Sequence, residues 1–311
     1  MQFVSEFPKN YREFSIWELK GLLEAYGGIA TGENEDLLFF ETDKPLDIIK
    51  RIAFSKRISR IIDKKEFPIK LQENCTYAIK EIRRGNKVSM INEIAKKIMG
   101  KVNLNNPDRK FIIYNNENFD LIGEIIYERS FINIIDQKYK NRPMNHPSSI
   151  SPLLARGMIN ISGAKEGNII VDPFAGTGTI LIEAGRMGIE AIGIDKNNKM
   201  VEGGNKNLAH FSIKGKIIQG DFSQMMNLNN IYAIITDPPY GRGSKIFSES
   251  RKTLYKNFFT VLAGMKGIVA VFCLPSEDLL DELRNYQNFI IIQRLRVHSS
   301  LTRIVVKTFP S

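Results

Sequence analysis

The run Val171-Asp172-Pro173-Phe174-Ala175-Gly176-Thr177-Gly178-Thr179 decides the fold. It follows a strand-sized apolar stretch, 168–172, and leads into a helical pattern, 179–187. Glycines between a strand and a helix let the backbone bend sharply and approach a ligand closely. A tight turn with no ligand uses glycines as well. Two phosphate-cradling loops are excluded. A dinucleotide fingerprint needs a third glycine where Leu181 stands, and a P-loop needs Gly-Lys followed by Ser or Thr. Outward from this turn the strand-then-helix rhythm continues. Strands are expected at 191–195, 216–220, 232–236 and 267–274, and helices at 198–211, 250–263 and 277–285. That alternation predicts an α/β domain with a parallel, doubly wound sheet. The last two strand patterns, 289–297 and 302–308, are joined by a link too short for a parallel crossover. They are expected to form an antiparallel hairpin.

The first part of the chain reads differently. Helices at 15–26, 47–54 and 89–99 mix with strands at 36–41, 58–63, 77–83, 110–115, 121–126 and 131–135. This predicts a smaller α+β region over 1–135. Segment 136–145 carries Lys138, Lys140, Arg142 and Pro143 with little apolar content, and reads as a linker to a domain over 146–311. A length of 311 residues also suits two domains.

Composition narrows the function classes. Apolar residues are 43% and charged residues 25%, a globular balance that excludes a mainly disordered chain. Only two cysteines occur, Cys75 and Cys273. That excludes a disulfide scaffold or a Cys-rich zinc module and points to a reducing, cytoplasmic setting. No apolar run reaches the roughly 18–20 residues of a membrane span, and the first ten residues show no signal-peptide pattern. His146, His210 and His298 are scattered, so no metal is expected. The formal net charge is +10. Residues 1–140 hold 24 basic and 21 acidic side chains, and residues 141–311 hold 20 and 13. The larger excess lies in the second part. A basic balance suits a polyanionic partner and equally a solvated surface.

Three more strand ends carry chemistry. Gly193-Ile194-Asp195 ends the second strand of the rhythm, where a carboxylate can accept hydrogen bonds from both hydroxyls of a ribose. A helix-capping surface Asp would look the same. Gln219-Gly220-Asp221-Phe222 follows the third strand. An acceptor there can take an adenine amino proton and Phe222 can pack on the ring, although a helix N-cap also explains Asp221. Thr236-Asp237-Pro238-Pro239-Tyr240-Gly241-Arg242 follows the fourth strand. Two prolines stop the strand and stiffen the loop, but a stop alone explains neither Asp237 nor Tyr240. This run matches the Asp/Asn-Pro-Pro-Tyr motif of exocyclic-amine methyltransferases. The lone pair of such an amine is delocalised into its ring. Acceptors that hold its two N–H bonds leave the nitrogen pointing at the methyl group. The Asp237 carboxylate and Pro238 carbonyl are two such acceptors, and Tyr240 offers a flat face for an extruded base.

With this run, two further stretches carry a family resemblance. One is Arg142-Pro143-Met144-Asn145-His146-Pro147-Ser148-Ser149-Ile150-Ser151-Pro152-Leu153-Leu154-Ala155-Arg156, and the other is Arg296-Val297-His298-Ser299-Ser300-Leu301-Thr302-Arg303. A helix N-cap explains Ser151-Pro152 and a turn explains the small polar residues of the second stretch, but neither explains His146 or the two arginines. Together they resemble the archaeal tRNA guanine-10 2-amino methyltransferases over essentially residues 141–311. The run 77–85, with 89–100 and 102–107, resembles a THUMP domain, whose core would cover about 66–135. The resemblance implies S-adenosyl-L-methionine as cofactor, contacted by Asp172, Gly176, Gly178, Asp195, Asp221 and Phe222, with His146 and Ser149 on the same side of the cleft. It implies catalytic positioning by Asp237, Pro238 and Tyr240. It also implies tRNA as partner, bound through Lys80, Arg83, Arg84, Lys87, Lys101 and Arg242. The implied reaction methylates the exocyclic 2-amino group of a guanosine in tRNA, at position 10, once or twice. No membrane and no protein partner is indicated. Rivals are methylation at another tRNA position such as 6, a DNA or protein amine methyltransferase, and a tRNA-binding module without turnover. The THUMP-like region speaks against DNA and protein, and the intact motif residues against lost turnover.

Overall fold

A computed structural model of the chain describes residues 1–83, 88–115, 120–129, 141–240, 251–298 and 301–309. In chain order the first part runs β1 (Gln2–Glu6), α1 (Arg12–Tyr26), β2 (Ile29–Asn34), β3 (Leu37–Glu41), α2 (Pro45–Arg51) and β4 (Arg57–Ile61). Then come β5 (Ile69–Lys70), β6 (Thr76–Arg83), α3 (Ile91–Ala95), β7 (Ile98–Met99), β8 (Lys101–Val102), β9 (Arg109–Asn115) and β10 (Asp120–Glu128). Eight of these strands form one sheet in the order β2-β3-β1-β4-β10-β9-β6-β8. Phe111, Ile112 and Ile113 of β9 are fully buried, and their alternation feeds a separate apolar cluster on each face. The helix expected over 89–99 is only α3. Its last part, Ile98–Met99, leaves the helix to pair in parallel with Ile69–Lys70. The strand expected at 131–135 and most of the linker lie outside the described residues.

Arginines and glutamates interlock in this sheet. Arg57, 1% exposed, is paired with Glu6 and, at 2.8 Å, with Glu128. Glu124 lies 2.6 Å from Arg109 and 3.3 Å from Arg60. Burial alone would push Glu124 and Glu128 up, but their arginine partners outweigh it and hold both below the usual carboxylate range.

The later part runs α4 (Pro152–Ile161), β11 (Ile169–Asp172), α5 (Thr179–Arg186), β12 (Glu190–Asp195), α6 (Asn198–His210), β13 (Gly215–Gln219) and β14 (Ile231–Thr236). It ends with α7 (Arg251–Gly264), β15 (Val269–Leu274), α8 (Asp278–Leu283), β16 (Phe289–His298) and β17 (Leu301–Thr308). The sheet order is β13-β12-β11-β14-β15-β17-β16. Strands β11 to β15 are parallel, while β17 runs antiparallel to both β15 and β16. This is the expected doubly wound sheet with its terminal hairpin. Because β17 is antiparallel, its start lies beside the end of β15, with Ile304 opposite Leu274. Ser151 caps α4 by accepting from the Leu154 N–H at 3.2 Å, with Pro152 in the first turn.

The chain divides into two compact units that interleave, where a single cut was expected. Met1–Asn10, Tyr26–Ile49 and the described residues from Ser55 to 129 form one, and the second takes in Tyr11–Ala25 and Lys50–Phe54. The reason is apolar packing: Phe14, Ala53 and Phe54 share one core cluster with Met158, Ile159 and Ile170. Gly21 permits the close approach, because a Cβ there would lie 2.1 Å from the Asn160 carbonyl oxygen. Glu18, fully buried, accepts from the Ala53 and Phe54 N–H groups, both at 2.8 Å, and from Asn160 Nδ2 at 2.9 Å. Arg51 in turn donates to Asn160 Oδ1 and to the Ala164 carbonyl, each at 2.8 Å.

Candidate active site

Strand order reverses between β11 and β14, since the chain crosses from β11 to β12 on one side and from β14 to β15 on the other. Carboxyl ends of parallel strands open a crevice at such a point. A cavity of about 430 Å³ lies there. Its wall includes His146, Ser149, Asp172, Gly176, Asp195, Phe222, Asp237, Pro238 and Tyr240, so the structure brings these sequence-selected residues together. Gly178 and Asp221 are not part of the wall.

Asp172 ends β11 and is 2% exposed. Its Oδ1 accepts from Thr236 Oγ1 at 2.6 Å and from the Phe174 N–H at 3.1 Å. Burial pushes this carboxyl up to about 7 against those hydrogen bonds, and the charges of Asp195 and Asp237 push the same way. Asp195 ends β12, and its two oxygens accept from the Gly176 and Asn197 N–H groups, each at 2.8 Å. Burial still holds it above the usual carboxylate range. The turn between β11 and α5 passes through Gly176 and Gly178 at φ of +51° and +81°, the left-handed region. Thr177 Oγ1 lies 2.9 Å from Ser149 Oγ, and His146 Nδ1 lies 2.7 Å from Ser148 Oγ. The Phe222 ring sits against Phe174 with centroids 5.3 Å apart.

Asp221 takes the capping role that the sequence left open. It accepts from the Ser223 N–H at 2.9 Å and pairs with Lys196 at 2.7 Å. Burial pushes it up, but these contacts outweigh it and hold it below the usual range.

The loop after β14 is tied from outside itself. The Tyr240 hydroxyl donates to Asp237 Oδ1. Arg303, from the start of β17, places Nη2 3.0 Å from Asp237 Oδ2 and donates from Nε to the Tyr240 oxygen at 2.8 Å. The Tyr255 hydroxyl lies 3.4 Å from the Pro238 carbonyl oxygen. Burial pushes Asp237 up, Arg303 and Tyr240 oppose it, and the carboxyl stays above its usual range. Sequence reasoning missed Thr236, Thr177, Tyr255 and Arg303. For Arg303 a signal existed, since a turn alone does not account for the arginines of the hairpin run.

Of the RNA candidates, Lys80 lies 4.0 Å from Glu128 and Arg83 3.6 Å from Glu81, while Lys101 is exposed on β8. Arg84, Lys87 and Arg242 lie outside the described residues. Among the described residues no three His, Cys, Asp or Glu gather as metal ligands, and no helix is long and apolar enough to cross a membrane.

Among the described residues, the cavity wall holds three carboxylates with raised pKa and one lysine, Lys196, already paired with Asp221. Such an acceptor set fits a ligand that brings positive charge and hydroxyl donors, as a sulfonium nucleoside does. The sheet order, the acidic switch-point cavity and the Asp-Pro-Pro-Tyr loop together define an S-adenosylmethionine-dependent methyltransferase. The family profile described as RMKL-like, methyltransferase domain matches residues 140–304, and one described as DNA methylase matches 6–206. A tRNA (guanine(10)-N2)-dimethyltransferase of Methanothermobacter thermautotrophicus is 41% identical over 173 residues, 53% of this chain and 50% of that protein. The protein of the same description from Pyrococcus abyssi is 32% identical over 307 residues, 94% of this chain and 86% of its own length. The crystal structure of TrmN from Thermus thermophilus superposes with a TM-score of 0.51 at 13% identity, covering 99% of this chain and 100% of that one, a likeness of fold. The chain belongs to the tRNA (guanine(10)-N2)-dimethyltransferase family.

Proposed function

We propose that this protein methylates the exocyclic 2-amino group of guanosine 10 in tRNA, once and then a second time, as a cytoplasmic enzyme. The observation that carries the reading is the placement of Asp237, Pro238 and Tyr240 in the wall of the same cavity as Asp172 and Asp195. S-adenosylmethionine, when bound, supplies a methyl group on a positively charged sulfur. Asp172 provides buried negative charge beside that end. Asp195 accepts from the ribose hydroxyls, its orientation set by the Gly176 and Asn197 N–H groups. Phe222 packs on the adenine, while Asp221, outside the cavity wall, stays with its cap and with Lys196. His146 and Ser149 close the same side of the cleft. On the substrate side, the Asp237 carboxylate and the Pro238 carbonyl accept from the two N–H bonds of the amine, and Tyr240 stacks on the extruded guanine. Holding the amine at about 3–3.5 Å from the methyl supplies much of the rate. The proton leaves the nitrogen late, as its new bond forms. The raised pKa of Asp237 makes its carboxylate a better acceptor at that moment. The N-terminal region, as a THUMP-like module, would meet tRNA phosphates through Lys80, Arg83, Arg84, Lys87 and Lys101, and Arg242 would meet the RNA near the site.

The test is transfer of labelled methyl from S-adenosylmethionine to unmodified tRNA, with duplex DNA as control and mass spectrometry of the nucleosides. Methylated guanosine, mapped to position 10 and abolished by Asp237→Ala, is the expected result. Label in DNA, or none in tRNA despite cofactor binding, would overturn the reading.

A further inference from the structure

We propose that Arg303 is a positioning residue for methyl transfer: the terminal hairpin sets the reactive geometry of the Asp237–Tyr240 loop from a separate element. This rests on the amine-holding role given to Asp237 above. The antiparallel course of β17 makes it possible. Only a strand entering from the carboxyl edge of the sheet starts beside the end of β15, and so brings Arg303 to the loop that follows β14.

The three side chains form a closed ring of two hydrogen bonds and one ion pair. Arg303 Nε donates to the Tyr240 oxygen, the Tyr240 hydroxyl donates to Asp237 Oδ1, and Arg303 Nη2 lies 3.0 Å from Asp237 Oδ2. Each donor meets an acceptor when Asp237 is ionised and Tyr240 protonated. The ring engages both Asp237 oxygens and so fixes the plane of the carboxylate. The remaining lone pairs are aimed rather than free to rotate. The guanidinium carbon also sits 5.5 Å from the centre of the Tyr240 ring. One cation therefore orients both the acceptor and the stacking platform assigned to the substrate.

The pair is nearly dry, with side-chain exposures of 11% for Arg303 and 9% for Asp237. Among the described residues, the groups that act on Asp237 from the packed elements are Arg303 of β17, Tyr240 of its own loop, Cys273 of β15, Tyr255 of α7 and Asp172 of β11. Of these described groups, Arg303 is the cation. A lysine could keep the charge beside Asp237, but its single ammonium lacks the planar fork that reaches two partners at once.

The experiment compares Arg303→Met and Arg303→Lys with the unaltered full chain. It measures kcat and KM for tRNA across pH, cofactor binding by calorimetry, and the fold by circular dichroism. For Arg303→Met the expected result is a fall in kcat of about 100-fold, with cofactor affinity nearly unchanged. The acid limb of the kcat profile should move up by about 1–3 pH units, because the opposite charge that opposed protonation of Asp237 is gone. A limb belonging to Asp172 would not move up, since the charges that raise it are Asp195 and Asp237, and a more readily protonated Asp237 raises it less. Arg303→Lys should return the acid limb toward its original position without returning kcat. The proposal is overturned by an unmoved limb in Arg303→Met, by a loss confined to KM for tRNA, or by full kcat in Arg303→Lys. If Arg303→Met fails to fold, the lysine variant alone decides. Asp237→Asn is measured beside them. If it turns over like the wild type, the amine-holding reading fails. If it is inactive while Arg303→Met is normal, only the role of Arg303 falls.

Discussion

In the N-terminal sheet, Arg57 stands between Glu6 and Glu128, and Glu124 between Arg60 and Arg109. At the switch-point cavity, Asp172 and Asp195 instead take their hydrogen bonds from a threonine and from backbone N–H groups. Both regions hide carboxylates from water. In the first, arginines hold Glu124 and Glu128 below the usual range. In the second, burial holds Asp172 and Asp195 above it. The glutamates of the N-terminal sheet are compensated within the chain. Asp172 and Asp195 have no cation beside them among their described hydrogen-bond partners and leave the compensation to a cationic ligand.

The contrast can be broken at several points. The largest expected effect is at Asp237, where replacement by alanine should cut methyl transfer by about 10³-fold or more and leave cofactor binding within a few-fold. Equal turnover in variant and wild type would remove the loop from the reaction. Next is Arg57→Met, which leaves Glu6 and Glu128 without their buried partner. A loss of about 3–5 kcal/mol is expected, read by denaturant unfolding. A neutral result would show that the N-terminal charges are not compensated in the way described.

Asp172→Asn sharpens the comparison with two opposite signs. A carboxyl whose pKa is raised on folding binds its proton more tightly when folded. The ligand-free protein therefore loses stability as pH climbs from about 4 toward 7. The asparagine variant escapes this and should be more stable at pH 8, by about 1–2 kcal/mol. Its affinity for the cationic cofactor should fall about tenfold. Wild-type binding should weaken as pH falls through about 7, and the variant should be flat. Calorimetry and thermal melts at pH 6 and 8 check both. The smallest effect is expected from replacing Lys80, Arg83 and Arg84 together with alanine. Lys80 and Arg83 are more than half exposed, and such pairs contribute little, so neither glutamate keeps its cation from a phosphate. The salt slope of tRNA binding should drop by roughly 2, and an unchanged slope would take these residues out of the RNA path.

The parallel sheet was legible because each turn carries its own signal: the glycines after β11, the aspartate that ends β12, the one after β13, and the prolines after β14. The motif residues meet in one cavity because they all lie at the carboxyl ends of adjacent strands, which a βα rhythm dictates. The N-terminal strands β1 and β2 escaped notice. β2 is an exposed edge with little apolar alternation, and β1 is too short to show a period. The capping role of Asp221 was visible only as one of two readings, because the lysine that pairs with it comes from another turn. The local run around Arg303 assigns it no task. Its partner lies 66 residues earlier in the sequence, and pairing across that distance depends on strand order, which no local pattern encodes.

The docking of Tyr11–Ala25 onto the later unit has a consequence for how the protein is made. Glu18 and its partner Asn160 are 142 residues apart. At roughly 5–20 residues per second of translation, the first helix leaves the ribosome about 7–30 seconds before the surface that covers it exists. Throughout that interval Phe14 has no finished core to enter and Glu18 lacks Asn160. The nascent chain therefore carries this helix without its later partners through nearly half of its synthesis, a natural target for chaperones that hold growing polypeptides.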